Sequence, residues 1–586
     1  MDINNNKIVW FDKNRVANTF NDFFTTVATK LVDKLPNACG LYGGTHIQEF
    51  YRAKGVIPNS CKLKVVSEGE IRKALNKVNQ CKASGLDDIP ALFIKDGATA
   101  ITHVITHIIN LSLTTGTVPE DFKLARVVPL FKKSSRAEAG NYRPVSILSV
   151  LSKVLERVVY NQIYAHLQEY NLMYEFQSGF RKSYSTETCV THLSDYIRTE
   201  IDKGNFCGMV LLDLQKAFDT VNSGILLNKL QAIGLDGAGI SWFSSYLNGR
   251  KQVVDVNGTF SEVRDITCGV PQGSILGPLL FLIYVNDMES AVKCKLLLYA
   301  DDSALLYANK DVQNIESTLS SELGSISRWL IDNKLSLHIG KSESILFGNN
   351  RMLKQAAKLE VSCCGFSIEP SNCIKYLGVI FDQNMSGASM ANKVIAKINA
   401  RIKMLFRLSG FLDTHTSKLL SNALIQCLFD YSCCSWYSGL SQSLKHKLQV
   451  CQNKLIRVTL KLSPRTHIDI SHFSKLNWLP VKHRVQFLIT CHMAKIMHGQ
   501  APNYLSRDMP RANTIHAHYT RASSEAVVLP RFRTVLGKNS FKYTASKLWN
   551  SLDSSIQNIR SPSKFKPACK NFLFRAYESE CLNQFI

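Results

Sequence analysis

Two adjacent carboxylates, Asp301 and Asp302, lie between the apolar runs Leu296-Leu-Leu-Tyr299 and Ala304-Leu-Leu306. A β-hairpin would bury both arms and expose the acids at its tip, and like charges side by side are costly unless a cation neutralises them. A third acid, Asp213, closes another apolar run, Gly208-Met-Val-Leu-Leu-Asp213, 88 residues upstream of Asp301. Two strand ends can bring the three together. Hard oxygen ligands of this kind suit a pair of Mg²⁺ ions that activate one oxygen and stabilise another. Taken alone, an Asp-Asp pair is equally an ordinary turn.

Between these acids sits Gly269-Val-Pro-Gln-Gly-Ser-Ile-Leu-Gly-Pro278. Its glycines let backbone approach a ligand closely, Gln272 offers an amide to a nucleotide, and the helix expected after it offers free N–H groups. A tight structural turn is the plainer alternative. Charge adds a second theme. The 586 residues carry 70 Lys and Arg against 46 Asp and Glu, a net +24, and residues 391–586 alone hold 29 against 8. Such a concentration is the footprint of a polyanion partner. Lys393, Lys397 and Arg401, and then Lys454, Arg457 and Lys461, recur at three- or four-residue spacing, which places each set on one helix face. A solvated basic surface is the competing explanation.

The elements that must hold these residues alternate. A helical opening runs to about residue 35, with Phe20, Phe23, Phe24, Val27 and Leu31 at helical spacing, followed by a glycine-rich linker over 37–60. Ser67, with Glu68 and Glu70 behind it, caps a helix, and 98–114 reads as a buried one. Strands are predicted at 126–131 and 206–213 with a helix near 147–170 between them, a mixed α+β pattern. Beyond a boundary near 388 amphipathic helices dominate, at 418–429 and 442–460 for example.

Several classes are set aside. No apolar run approaches a bilayer span, and the first residues lack the basic-then-apolar order of a secretory signal, which leaves cytosol and nucleus open. The 17 cysteines are scattered without a Cys-x-x-Cys pair. Neighbours on one element point different ways, which argues against a shared metal site at the doublets Cys363-Cys364 and Cys433-Cys434.

Asp213-x4-Phe218, Pro271-Gln-Gly273-Ser and Tyr299-Ala-Asp-Asp302 follow the order of reverse transcriptase motifs A, B and C. Flanking blocks agree: Val128-Pro-Leu-Phe-Lys-Lys133 and Asn141-Tyr-Arg-Pro144 before, Leu335-Ser-Leu-His-Ile-Gly-Lys341-Ser and Tyr376-Leu-Gly-Val379 after. Over residues 65–385 the chain resembles the polymerases of non-LTR (LINE-type, jockey-like) retrotransposons. Gly179-Phe180-Arg181 resembles a further fingers segment, without an assigned role.

The resemblance implies an α+β right-hand polymerase. It would copy an RNA template from a DNA primer or target with dNTPs, using two Mg²⁺ ions, with Mn²⁺ as a substitute. Asp213 and Asp301 would hold the metals with Asp302 in support. Phe218 takes the family's steric-gate position, Gln272 and Gly273 the nucleotide-binding loop, and Lys132 and Arg143 the triphosphate contacts, Lys133 being able to exchange with Lys132. Lys341 matches the lysine suggested to protonate departing pyrophosphate, and Tyr376, Leu377 and Gly378 match the primer grip. The division expected is an N-terminal extension and linker over 1–64, fingers and palm over 65–385 with core motifs in 124–382, a helical thumb over 389–470, and a basic region over 471–586. With the polymerase blocks starting by 126 and the tail's acids scattered, neither an endonuclease nor an RNase H domain is expected, so a separate endonuclease is a candidate partner.

Overall fold

The computed structural model describes residues 2–4, 7–9, 12–512 and 525–583, so 513–524 of the basic region lie outside the described residues. The chain folds into two compact units. One comprises 1–180, 213–293 and 322–339, the other 181–212, 294–321 and 340–586.

In the first unit the expected opening helix spans Lys13–Val32 and is capped by Asp12, whose carboxylate accepts from Asn14 N–H; it buries Ala17, Asn21, Phe24 and Ala28, so that of the stripe read from the sequence Phe24 is buried and Phe20, Phe23, Val27 and Leu31 are half-buried. Its Phe24 packs into a small core with Ala125, Val127, Leu148 and Val254. Most of that core belongs to a sheet. Strand β3 (Leu124–Phe131) pairs antiparallel with β4 (Tyr142–Ile147) and parallel with β6 (Arg250–Val256), which carries β7 (Thr259–Phe260) and β8 (Arg264–Ile266). A short hairpin, β1 (Asp2–Asn4) with β2 (Lys7–Val9), precedes them. The predicted helices at Glu68–Asn76, Ala98–Thr115 and Val150–Glu169 are present, the first with its predicted Ser67 cap in a full capping box with Glu70. One expectation fails. The 37–60 stretch is not all linker, since Gly44–Ala53 is a helix that buries Ile47 and Tyr51; flanking glycines hid a short apolar face.

The second unit is built on a six-stranded sheet in the order β12 (Val361–Cys363), β13 (Phe366–Pro370), β11 (Glu343–Phe347), β5 (Phe206–Asp213), β10 (Asp302–Asn309), β9 (Lys295–Tyr299). Strand β11 runs antiparallel to β5, and β9 antiparallel to β10. A separate hairpin joins β14 (Cys373–Tyr376) to β15 (Val379–Asp382). Helices follow from Ala388 onward, where Gly387, at φ +73, occupies the N-cap of Ala388–Leu408. Among the described residues no helix is long and apolar enough to cross a membrane.

Candidate active site

Pairing of Tyr299 with Asp302 leaves Ala300 and Asp301 as a two-residue turn between β9 and β10. Both acids are exposed at that tip while the flanking Leu296–Leu298 and Ser303–Leu306 are buried, which is the placement the sequence predicted. Ala300 adopts φ +56, a left-handed conformation that costs a non-glycine residue about 1 kcal/mol or more. Strand β5, which Asp213 closes, is the neighbour of β10 in the sheet. The end of β5 is held by a loop: the Asp213 carbonyl accepts from His338 N–H at 2.8 Å, and Gln215 N–H donates to the Ser336 carbonyl at 2.8 Å.

In the first unit, Phe218 and the glycine-rich segment form one assembly. Phe218 stacks on the buried Phe281 with centroids 4.4 Å apart and meets Phe180 edge-on at 6.2 Å. Val270 N–H donates to the Phe218 carbonyl at 2.9 Å and Gly269 N–H to the Val221 carbonyl at 2.8 Å. Gln272 is gripped at both ends. Its side-chain amide donates to Asp219 Oδ1 at 2.7 Å, and its backbone carbonyl accepts from Ser146 N–H of β4 at 2.8 Å. Gly273 follows at φ +132, where a Cβ would stand 2.2 Å from the Ser146 carbonyl oxygen, so no other residue fits.

Two acids in this assembly were not singled out by the sequence. Burial raises the Asp219 carboxyl above the usual range, the Gln272 bond opposing, and its Oδ2 is buried without a hydrogen-bond partner. Its adjacency to Phe218 was the available signal. Glu156, inside the Val150–Glu169 helix, accepts from Ile275 N–H at 2.5 Å and from the Tyr246 hydroxyl at 2.8 Å; burial likewise raises its carboxyl. Nothing local distinguished it. With Gly277 N–H bound to Ser274 Oγ at 2.8 Å, two of the N–H groups that open the Leu276–Val285 helix are satisfied internally. The expectation of free donors there is corrected accordingly: a buried N–H must find a partner, and the protein supplies one.

Lys132 and Arg143 are both on the β3–β4 hairpin, with Arg143 exposed. Leu130 faces Arg143, and Lys132 N–H donates to the Asn141 carbonyl at 2.9 Å, so the register puts the two cations on one face. Lys341 is exposed at the end of a short 3₁₀ turn, Ile339–Lys341. Tyr376, Leu377 and Gly378 are at the β14–β15 turn, where Leu377 (φ +45) and Gly378 (φ +86) form its two central residues. Positive φ at both positions matches the twist of a tight hairpin. Tyr431 hydroxyl donates to the Leu377 carbonyl at 2.6 Å, and its ring lies 3.1 Å from where a Gly378 Cβ would be. The buried Tyr376 hydroxyl lies 3.6 Å from Cys189 Sγ.

The two basic sets fare unequally. Lys393, Lys397 and Arg401 share the Ala388–Leu408 helix, away from its buried Val394, Ile398, Ile402 stripe. Burial and then the nearby charges of Lys375 and Lys397 lower the Lys393 ammonium's pKa, which marks a cluster of like charge. Arg401, however, donates to the Leu424 carbonyl. Lys454 and Arg457 lie on the Gln442–Thr459 helix, but Lys461 does not: at φ +55 it sits beyond the helix end, and Arg457 Nε donates to the Thr466 carbonyl at 2.9 Å. The spacing rule ran past the helix terminus, which the sequence does not mark with Gly or Pro.

Residues 131–381 match the family model for reverse transcriptase (RNA-dependent DNA polymerase). Over this segment the chain is similar to reverse transcriptases, and its curated relatives are RNA-directed DNA polymerases of mobile elements. The chain is 26% identical over 413 residues to the "Probable RNA-directed DNA polymerase from transposon BS" of Drosophila melanogaster, covering 68% of this chain and 45% of that protein. It is 27% identical over 366 residues to the "RNA-directed DNA polymerase from mobile element jockey" of Drosophila funebris, covering 58% and 39%. The chain thus spans less than half the length of these curated relatives. Its mixed helix-and-sheet architecture accords with the α+β right-hand polymerase fold.

Proposed function

We propose that this chain is an RNA-directed DNA polymerase, in which Asp213, Asp301 and Asp302 form the metal site for nucleotidyl transfer from a dNTP to a primer 3′-hydroxyl on an RNA template. The observation that carries this reading is the acid-bearing Ala300–Asp301 turn beside β5, inside the segment matching the reverse transcriptase family. The donor set fits the group the family uses: carboxylate oxygens, exposed at Asp301 and Asp302 and half-buried at Asp213, are hard and anionic, suit Mg²⁺ and accept Mn²⁺ in its place. When bound, a pair of such ions supplies charge neutralisation at the phosphates and activation of the attacking oxygen.

The remaining roles fall to the chain's own groups. Arg143 and Lys132, on one hairpin face, bind the triphosphate, the guanidinium in bidentate fashion and the ammonium as a point charge. Gln272, fixed by Asp219 and Ser146, presents a pre-set edge to the nucleotide, and Phe218 excludes a ribose 2′-hydroxyl. Lys341 donates a proton to departing pyrophosphate. The Tyr376-Leu377-Gly378 turn sets the primer end. In this reading 65–385 is fingers and palm, 389–470 the thumb, and 471–586, with Lys393, Lys397 and Lys454 ahead of it, a basic path for template.

Primer extension on RNA with Mg²⁺, comparing the intact chain with Asp301→Asn, tests the proposal. We expect incorporation by the former and at least a ~10³-fold loss in the latter, the scale of removing a principal electrostatic contributor. A chain that binds RNA tightly yet incorporates nothing under any divalent cation would reduce the reading to a binding protein.

A further inference from the structure

Away from the acids, three side chains from distant parts of the sequence converge inside the second unit. Glu187 belongs to the first turn of the Thr186–Asp202 helix, Cys434 to the short Cys433–Trp436 helix, and His492 to the Val481–Met497 helix. Glu187 Oε1 lies 3.6 Å from Cys434 Sγ and 3.9 Å from His492 Nδ1, and one donor atom from each falls within 4.8 Å of the others. Zinc–ligand bonds of about 2.0–2.3 Å set tetrahedral donors roughly 3.3–3.8 Å apart, so only small side-chain adjustments separate this trio from a coordination shell.

His492 supplies the independent sign that a ligand belongs here. Its side chain is 4% exposed, and neither ring nitrogen has a hydrogen-bond partner. Burying an imidazole with both nitrogens unsatisfied is costly, and a metal bond would offset that cost. The charges also balance. Thiolate and carboxylate together cancel a dication, so the loaded site would be neutral and tolerable inside the fold. Nearby, Lys495 acts on both Glu187 and His492, and Asp430, which also acts on Glu187, is engaged by Arg484 at 2.5 and 2.6 Å. The donor set of sulfur, nitrogen and one oxygen selects Zn²⁺ over the Mg²⁺ expected at the carboxylate site.

We propose that Glu187, Cys434 and His492 bind one Zn²⁺ ion that staples the three helices together. On binding, the Cys434 S–H bond breaks, its proton passes to solvent, and a sulfur–zinc bond forms with no change in oxidation state. Water completes the fourth position. Cys433, the other half of the doublet, is not a ligand.

The test uses the full chain, desalted after exposure to zinc sulfate, with elemental analysis, and in parallel the chain loaded with Co²⁺. One zinc per chain is expected, together with a thiolate-to-cobalt charge-transfer band in the near ultraviolet. Both should vanish in Cys434→Ser and His492→Ala and persist in Cys433→Ser. A strong chelator should lower the Tm of the intact chain and leave that of Cys434→Ser unmoved. An intact chain that holds no zinc and gives no cobalt band overturns the proposal, whether or not the variants fold; so does a band that survives in Cys434→Ser.

Discussion

Phe218, proposed above to exclude a ribose 2′-hydroxyl, is packed as a core ring. Its stacking on Phe281 and edge contact with Phe180 fix its plane, and the Val270 hydrogen bond ties its backbone to the segment that carries Gln272. A ring so held cannot swing aside for a 2′-hydroxyl at low cost. We expect Phe218→Val to raise ribonucleotide use relative to deoxynucleotide use by about 10- to 100-fold, the range that shape discrimination of one small group supplies. Single-nucleotide primer extension with paired dNTP and rNTP checks this; an unchanged ratio with dNTP incorporation intact would leave the ring a core residue only. Gln272 is legible in sequence by its glycine-rich setting, but its partner is not. Asp219 and Ser146 are 53 and 126 residues away, and only folding brings them to it.

At the scale of elements, the Thr186–Asp202 helix organises the second unit through polar groups that its sequence would place on a surface. Asp195 is 4% exposed and accepts from Phe541 N–H at 2.6 Å and Lys542 N–H at 2.8 Å, so it caps the Phe541–Asn550 helix from a distance. Asp202 does the same for residues 533 and 534. Burial raises the Asp195 carboxyl to about 6, outweighing those N–H bonds and the charges of Lys542 and Arg198. Since the unfolded value is about 3.9, the native state keeps a proton that the unfolded chain has shed between roughly pH 4 and 6. Its contribution to stability is therefore complete below about pH 4 and is lost as pH rises through 6, at a slope approaching about 1.4 kcal/mol per pH unit within that window. Thermal denaturation between those two pH values should show a smaller fall for Asp195→Asn than for the parent chain. Equal slopes would mean that the carboxyl is ionised throughout.

For the whole molecule the governing feature is the charge asymmetry, 29 basic against 8 acidic residues beyond position 390. Lys375 of β14 lies near Lys393 and Lys397, while Arg401 and Arg457 each donate one hydrogen bond to a backbone carbonyl. RNA affinity should fall steeply with salt, and replacing Lys375, Lys393 and Lys397 together with alanine should reduce the log–log slope by about 2 to 3, at roughly 0.7 to 0.9 per phosphate contact. Filter binding across a salt series would show it; an unchanged slope would move the nucleic-acid path elsewhere. The sequence by itself determined the candidate residues and their local frame: the acids at strand ends, the hairpin that exposes Asp301 and Asp302, the Ser67-capped helix and the basic tail. All of these depend on residue type and near-neighbour spacing, which periodicity and turn preference encode directly. Only the tertiary structure decided what depends on long-range pairing. It set β5 beside β10 across the 88 residues between Asp213 and Asp301, assigned Glu156 and Asp219 their buried partners, and gathered Glu187, Cys434 and His492 from three helices. Burial and proximity of residues far apart in the chain arise from packing, and no local pattern records them.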